Sequence, residues 1–444
     1  MSSPQIILAD AAAELPSASA TSAPAENAAP LLITTADTEK TEEDRFHRFR
    51  LISWWDQAKL SGAKVLVVGA GALGNEIIKN LTLLGVGNLF IADLDRVENS
   101  NLSRSILYRE ADNGIYKADA AARAAREIYP KVNAHPFNGN VVYDLGLGVF
   151  RWADVVIGGL DNREARLAIN RNCWKVNRPW IDGAIEQIQG TARVFAPDGP
   201  CYECTMSETD WKLLRNRRSC NLLSRPEMER GKTPTTPTIS SIIAGVQCQE
   251  AVKLIHGLET IAGKGWVFNG FSTEAYTVQF QRKESCYSHE TLEEIIPLPM
   301  RASTATAGEL LALARHHLGE SAELELARDV LEKLVCPRCH REEVLFASLG
   351  RVPAEKAICP HCPDGRRDVV TFYKIRGNEK FLDRTLAEIG VPPFDILTAR
   401  TRDRAIGFEL AGDAAEVLGP AINAGRQVSQ IEAKLADAEG LEWE

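Results

Sequence analysis

Lys64-Val-Leu-Val-Val-Gly-Ala-Gly-Ala-Leu-Gly74 reads as a buried apolar strand, a glycine turn and the opening of a helix. The three glycines follow the pattern GxGxxG: Gly69 permits the tight turn, Gly71 lets a phosphate approach the backbone, and Gly74 lets helix and strand pack closely. Free N–H groups at the start of that helix would face an anion. On its own the stretch predicts a dinucleotide-binding unit, and the residues on either side decide whether that default holds.

Upstream, residues 1–40 are rich in Ala, Ser, Pro and Thr without sustained periodicity, so a disordered tail is expected. Phe46, Phe49, Ile52 and Trp55 then recur at steps of three, which predicts a helix with an apolar face. Arg45, Arg48 and Arg50 beside it read, by themselves, as a solvated charged face. Downstream, residues 75–84 suit an amphipathic helix closed by Gly85, and Asn88–Asp93 a second buried strand. Asp93 stands about twenty positions past the glycines, where a ribose hydroxyl would be held. The stretch that follows is polar and irregular, contains Asp95, and carries Asn101 and Arg104 three apart. Lys117 then opens a helix running through Ile128. Up to Asp93 a dehydrogenase would look the same, but a nicotinamide site does not require that Asn and Arg. Hydride transfer also requires a general acid or base and a substrate anchor, for which no local pattern proposes a candidate.

Residues 154–159 form another apolar strand, which ends just before Asp161 and the helix through Ala165, Ile169 and Trp174. Taken alone, an Asp in that place suits a plain N-cap. Residues 179–184 and Gln189–Phe195 read as strands, and residues 239–255 as a helix burying Ile242, Val246 and Val252. Such alternation predicts an α/β fold with an open, largely parallel sheet, ligand lying outside the strand carboxyl ends.

The whole chain, 444 residues with a formal net charge of -9, has room for two or three domains and lacks the basic excess of a nucleic-acid binder. No apolar run suits a bilayer span or a signal peptide, so a cytoplasmic protein without membrane contact is expected. Ten cysteines, six of them in Cys-x-x-Cys pairs, point to metal binding or catalysis ahead of a disulfide framework.

The ordered set GxGxxG, Asp93-x-Asp95, Asn101-x-x-Arg104, Lys117 and Asp161 after an apolar strand resembles the ThiF/MoeB/HesA superfamily, which includes the ubiquitin-activating enzymes. The resemblance covers roughly residues 45–289. It implies a Rossmann-like adenylation domain that activates the C-terminal carboxylate of a ubiquitin-like or sulfur-carrier β-grasp protein with ATP and Mg²⁺. By it, Arg104 and Lys117 supply positive charge at the phosphates and Asn101 a neutral donor, Asp161 holds Mg²⁺, and Asp93 binds the ribose; Asp95 either joins them or shapes the loop. Arg48 matches an arginine donated across a homodimer interface. Cys201-Tyr-Glu-Cys204 and Cys286-Tyr-Ser-His289 resemble a split Zn²⁺ site in which His replaces the last Cys. Cys220, behind Arg217 and Arg218, stands where ubiquitin-activating relatives carry the thioester-forming cysteine, and such a role implies a conjugating-type partner enzyme. Cys173 and Cys248 fall within helices and read as packed thiols.

After residue 280 the pattern changes. Residues 265–280 suggest two strands and residues 304–334 a helical stretch. Cys336-Pro-Arg-Cys339 and Cys359-Pro-His-Cys362, nineteen residues apart, then give a strong zinc-ribbon signal. A smaller α+β zinc domain over residues 291–420 is expected, a docking surface by its position, with a fraying tail over 421–444. Adenylation followed by thioester transfer to Cys220 is the leading expectation. Adenylation alone for sulfur transfer, and a non-catalytic nucleotide-binding scaffold, are the alternatives.

Overall fold

The computed structural model describes residues 44–212, 234–363 and 365–419. Cys220, and the tails expected at 1–40 and 421–444, lie outside the described residues. The strand that opens the glycine turn is β1, Lys64–Val68, with Val65, Leu66 and Val67 fully buried. Around it an eight-stranded sheet takes the order β3-β2-β1-β4-β5-β6-β7-β8. These are β2 Asn88–Asp93, β3 Asn133–Asn138, β4 Val155–Gly159, β5 Trp180–Glu186, β6 Gln189–Phe195, β7 Lys264–Asn269 and β8 Glu274–Gln279. The first five pair in parallel and the last three add antiparallel. Because the chain leaves β1 toward β2 on one side and returns beside it as β4, the carboxyl ends of β1 and β4 flank a topological switch point, where open α/β sheets bind ligands.

Helices cover both faces. α1 (Gln57–Gly62) precedes β1, and α2 (Ala72–Leu83) and α3 (Lys117–Ile128) pack with the long helix Pro237–His256 on one face. α4 (Leu147–Trp152) and α5 (Arg163–Lys175) cover the other. The long helix has strong end signals: the Thr236 side chain caps it, Pro237 starts it, and Gly257 stops it at φ 74°. Its buried side differs from the sequence expectation. Val252 is buried as expected and Val246 partly so, but Ile239, Ile243, Gln247 and Ala251 also face inward and Ile242 is exposed, a distinction that the Ser240-Ser-Ile-Ile243 run does not resolve by hydropathy alone.

Two further expectations need correction. Residues 44–55 do not form an α-helix: turns and a short 3₁₀ segment, Phe49–Leu51, fold the aromatic residues back on one another, with Phe46 edge-on to Tyr129 and Phe49 against Trp55. Residues 304–334 split into a helix, Ala307–Leu318, and a long strand, β10 Glu323–Val335. The helix has a Thr306/Glu309 capping box, and Gly319 follows it at φ 93°. The strand escapes detection because bulges interrupt its pairing and place Val330 and Leu331 inside together, which breaks the two-residue period.

β10 belongs to a second, six-stranded sheet with β9 Ile295–Leu298, β11 Glu342–Ser348, β12 Asp368–Ile375, β13 Ile396–Arg400 and β14 Ala405–Leu410. It is joined to the first by shared packing. Phe394 and Ile396 sit in the core beneath α4 and α5, the Gly148 amide donates to Phe394 O at 3.0 Å, and a side chain on Gly148 would strike that carbonyl.

Candidate nucleotide and metal sites

The glycine turn is built from close approaches that only glycine allows. Gly69 has φ 92°, and a Cβ there would lie 2.4 Å from Gly159 O, while one on Gly74 would lie 1.9 Å from Gly69 O. The turn is thus pressed onto the end of β4. Gly71 differs: its φ is -72° and nothing lies within 4 Å of where its Cβ would project. Neither backbone nor packing asks for glycine there, and the open space at the start of α2 fits a phosphate approaching the helix N–H groups.

Asp93 at the end of β2 accepts from Ala70 N in the turn and from Asp95 N, both at 2.7 Å. Burial pushes its carboxyl above the ordinary range, against the pull of Lys117. Lys117 Nζ donates to Asp95 Oδ2 at 2.7 Å, and the Lys117 amide donates to Asp95 O, so Asp95 fixes both ends of the lysine. Asn101 Oδ1 accepts from Glu98 N at 3.0 Å and Arg104 Nη1 donates to Ser100 O at 2.6 Å, which orders the polar loop. Asp161 is exposed beyond β4. Asn162, the next residue, performs the capping expected of Asp161, its Oδ1 accepting from Ala165 N at 2.8 Å.

Two residues unremarked in the sequence hold this region together. Asn75, fully buried, donates to Ala70 O at 2.7 Å and accepts from Leu107 N at 2.9 Å. The Tyr108 hydroxyl also donates to Ala70 O, and burial raises its pKa. Asn75 directly follows the last glycine of the pattern, a signal that could have singled it out. Nearby, Arg166 donates through Nε to Asp182 Oδ1 at 2.8 Å and through Nη2 to Leu160 O at 2.6 Å, holding the residue before Asp161. Asp182 also pairs with Arg193, and it is fully buried.

Gly69, Gly71, Gly74, Asp93, Asp95, Asn101, Arg104, Lys117 and Asp161 therefore lie on the carboxyl ends of β1, β2 and β4 or on the segments that follow them. Arg48 does not join them. It is exposed in the N-terminal turns, whose neighbours Arg45 and Phe46 reach the far end of α3, where Arg45 Nη2 donates to Ile128 O.

The cysteine pairs converge as two clusters. Cys201, Cys204, Cys286 and His289 bring their ligand atoms together, with Sγ–Sγ separations of 3.5 Å and 3.7 Å from Cys201 and 3.3 Å from Cys204 Sγ to His289 Nε2. Cys336, Cys339, Cys359 and Cys362 form the other, with separations of 3.9 Å and 3.8 Å. Four ligands at metal–sulfur distances of about 2.3 Å in a tetrahedron lie about 3.8 Å apart, which both clusters match. The Trp174 ring stacks on His289 at 4.4 Å and orients it, and Lys283 N donates to Cys204 Sγ. Cys173 and Cys248 are buried thiols, as expected.

The ThiF family model matches residues 44–288. Among curated proteins, a SAMP-activating enzyme E1 of Haloferax volcanii is 30% identical over 263 residues, covering 57% of this chain and 90% of that protein. A sulfur carrier protein adenylyltransferase of Thermus thermophilus is 34% identical over 37% of this chain and 64% of its own length. An adenylyltransferase and sulfurtransferase, MOCS3-1 of Zea mays, is 31% identical over 52% of this chain, which spans only 48% of that protein. With a family match over more than half its length, the chain belongs to the ThiF family.

Proposed function

We propose that this protein is an ATP-dependent adenylyltransferase acting on the C-terminal carboxylate of a ubiquitin-like or sulfur-carrier protein. The observation that carries the reading is the open space at Gly71 where the glycine turn enters its helix, with Arg104 and Lys117 on the segment after β2 and Asp161 just past β4, two cations and a carboxylate suited to a triphosphate and its metal. The carboxylate oxygen attacks the α-phosphate, the bond to the β-phosphate breaks, and pyrophosphate leaves with an acyl-adenylate formed. Lys117 and Arg104 offset the charge that gathers as two anions meet. Asp161 would hold Mg²⁺, whose charge neutralises the phosphates. The names of the Haloferax and Thermus relatives, which activate SAMP and adenylate a sulfur carrier, agree with this substrate class.

In the second step Cys220 Sγ attacks the acyl carbon, the thioester bond forms, and AMP departs; Arg217 and Arg218 favour the thiolate. A conjugating-type enzyme would then receive the modifier. In a homodimer Arg48 of one copy reaches the other copy's site. Zn²⁺ in the two clusters is structural, since four protein ligands leave no open position. The expected location is cytoplasmic. Incubation with ATP, Mg²⁺ and a candidate modifier should support pyrophosphate exchange and give a reductant-sensitive adduct. Survival of that adduct in Cys220→Ala would sink the thioester site. Exchange without any adduct would favour the simpler sulfur-carrier role suggested by the names of the Thermus and maize relatives.

A further inference from the structure

The loop between β3 and α4 touches both ends of the nucleotide site and the second sheet. At its start the Gly139 amide donates to Asp93 O at 3.2 Å, on the residue whose carboxylate receives the glycine turn. In its middle the Tyr143 hydroxyl donates to Glu164 Oε1 at 3.1 Å, in the first turn of α5, three residues past Asp161. At its end the Leu147 amide donates to Asp395 Oδ1 at 2.7 Å.

From the second sheet, Arg328 on β10 closes this circuit. Its Nη1 donates to the Tyr143 carbonyl and its Nη2 pairs with Asp395 Oδ2 at 3.1 Å, both side chains nearly buried at 10% and 5% exposure. Arg351 adds a pair with Asp144 from the same domain. A guanidinium that is desolvated and fixed by a carboxylate holds a carbonyl in one place, because the planar fork leaves it little freedom. The Asn140 side chain stiffens the loop by accepting from Val142 N, and Asp144 accepts from Asn140 N.

We propose that Arg328 is a positioning residue for the nucleotide site: by holding the Tyr143 carbonyl it sets the hydroxyl that fixes the Asp161 end of α5. The inference rests on the adenylation reading of that site. The C-terminal domain then contributes to Mg²⁺-ATP binding from outside the sheet that contacts the nucleotide, and anything that docks on it can alter binding.

The test uses the full chain and a non-hydrolysable ATP analogue, titrated calorimetrically at several Mg²⁺ concentrations beside thermal melts. Tyr143→Phe removes one hydroxyl. It should weaken the analogue by roughly twofold to tenfold, the range of one hydrogen bond. The loss should be greatest at low Mg²⁺, with the melting temperature hardly changed. Arg328→Ala should lose at least as much, and Arg328→Lys, which keeps one donor, should recover part of it. Wild-type affinity and Mg²⁺ dependence in Tyr143→Phe overturn the inference, whatever the stability of Arg328→Ala. Failure of the wild-type chain to bind the analogue at all overturns the nucleotide reading itself, and the inference with it.

Discussion

Asn162 Oδ1 accepts from Ala165 N at 2.8 Å, and this cap leaves the neighbouring Asp161 carboxylate outside the helix, where Asn162 Nδ2 donates to it at 3.3 Å. Adjacent residues thus divide two tasks. Asn162→Ala should cost about 1 kcal/mol of stability, as lost caps do. Asp161→Ala should leave the melting temperature near the wild-type value while abolishing pyrophosphate exchange. Equal loss of stability in both variants would contradict the division.

Lys117 and Asp95 form a second pair whose partners differ in role. The lysine side chain is 12% exposed and the aspartate 55%, so the ion pair itself contributes little to folding. Lys117→Ala should reduce the exchange rate about 10²- to 10³-fold, the cost of removing one preorganised charge-stabilising group. Asp95→Ala only loosens the lysine and should cost no more than about fivefold. A larger effect at Asp95, read from exchange kinetics at saturating ATP, would give it a direct part in nucleotide binding.

The first sheet was legible because its signals are local. β2 matches its expected bounds, Lys117 opens α3, and the spacing from the glycines to Asp93 places that carboxylate against the turn. Zinc-type spacing likewise predicted the Cys336, Cys339, Cys359 and Cys362 cluster, while the one formed by Cys201, Cys204, Cys286 and His289 followed from the family resemblance. Local patterns failed where tertiary contacts decide. The β10 bulges mix two periods, and the aromatic residues near Trp55 satisfy one another without a helix. Neither Arg166, Asp182 and Arg193 nor Arg328 and Tyr143 announce themselves, since their partners come from other elements.

The cysteines give a count that checks the sites. Seven of the ten belong to the clusters, and Cys173 and Cys248 are buried. Burial holds the Cys248 thiol up at about 12 and raises Cys173 further from reactivity. Native alkylation at pH 8, read by peptide mass spectrometry, should therefore modify Cys220 alone at a fast rate. A chelator should add the seven cluster thiols and lower the melting temperature. Rapid labelling of Cys336 or Cys201 in metal-replete protein would contradict the closed sites.

Asp182 is a carboxylate at 0% exposure between Arg166 and Arg193, whose side chains are 9% and 17% exposed. Asp182→Ala strands two buried guanidiniums and should cost about 3–5 kcal/mol, measured by urea unfolding. A midpoint within error of the wild type would show that water reaches the arginines.

Lys175, at the end of α5 near the second sheet, is the reverse case. Burial pushes its amine below the usual lysine range, although Glu290 and Glu325 pull the other way. A depressed base means that the native state holds fewer protons than the unfolded chain between the two pKa values, so this group's contribution rises with pH across that window. Below the window both states are charged, and burying the ammonium carries its full cost. Lys175→Met keeps the aliphatic stem and removes that cost. The variant should melt higher than the wild type at neutral pH, and the difference should shrink as pH climbs toward the ordinary lysine value of about 10.4. A pH-independent difference in melting temperature would assign the effect to packing and not to charge.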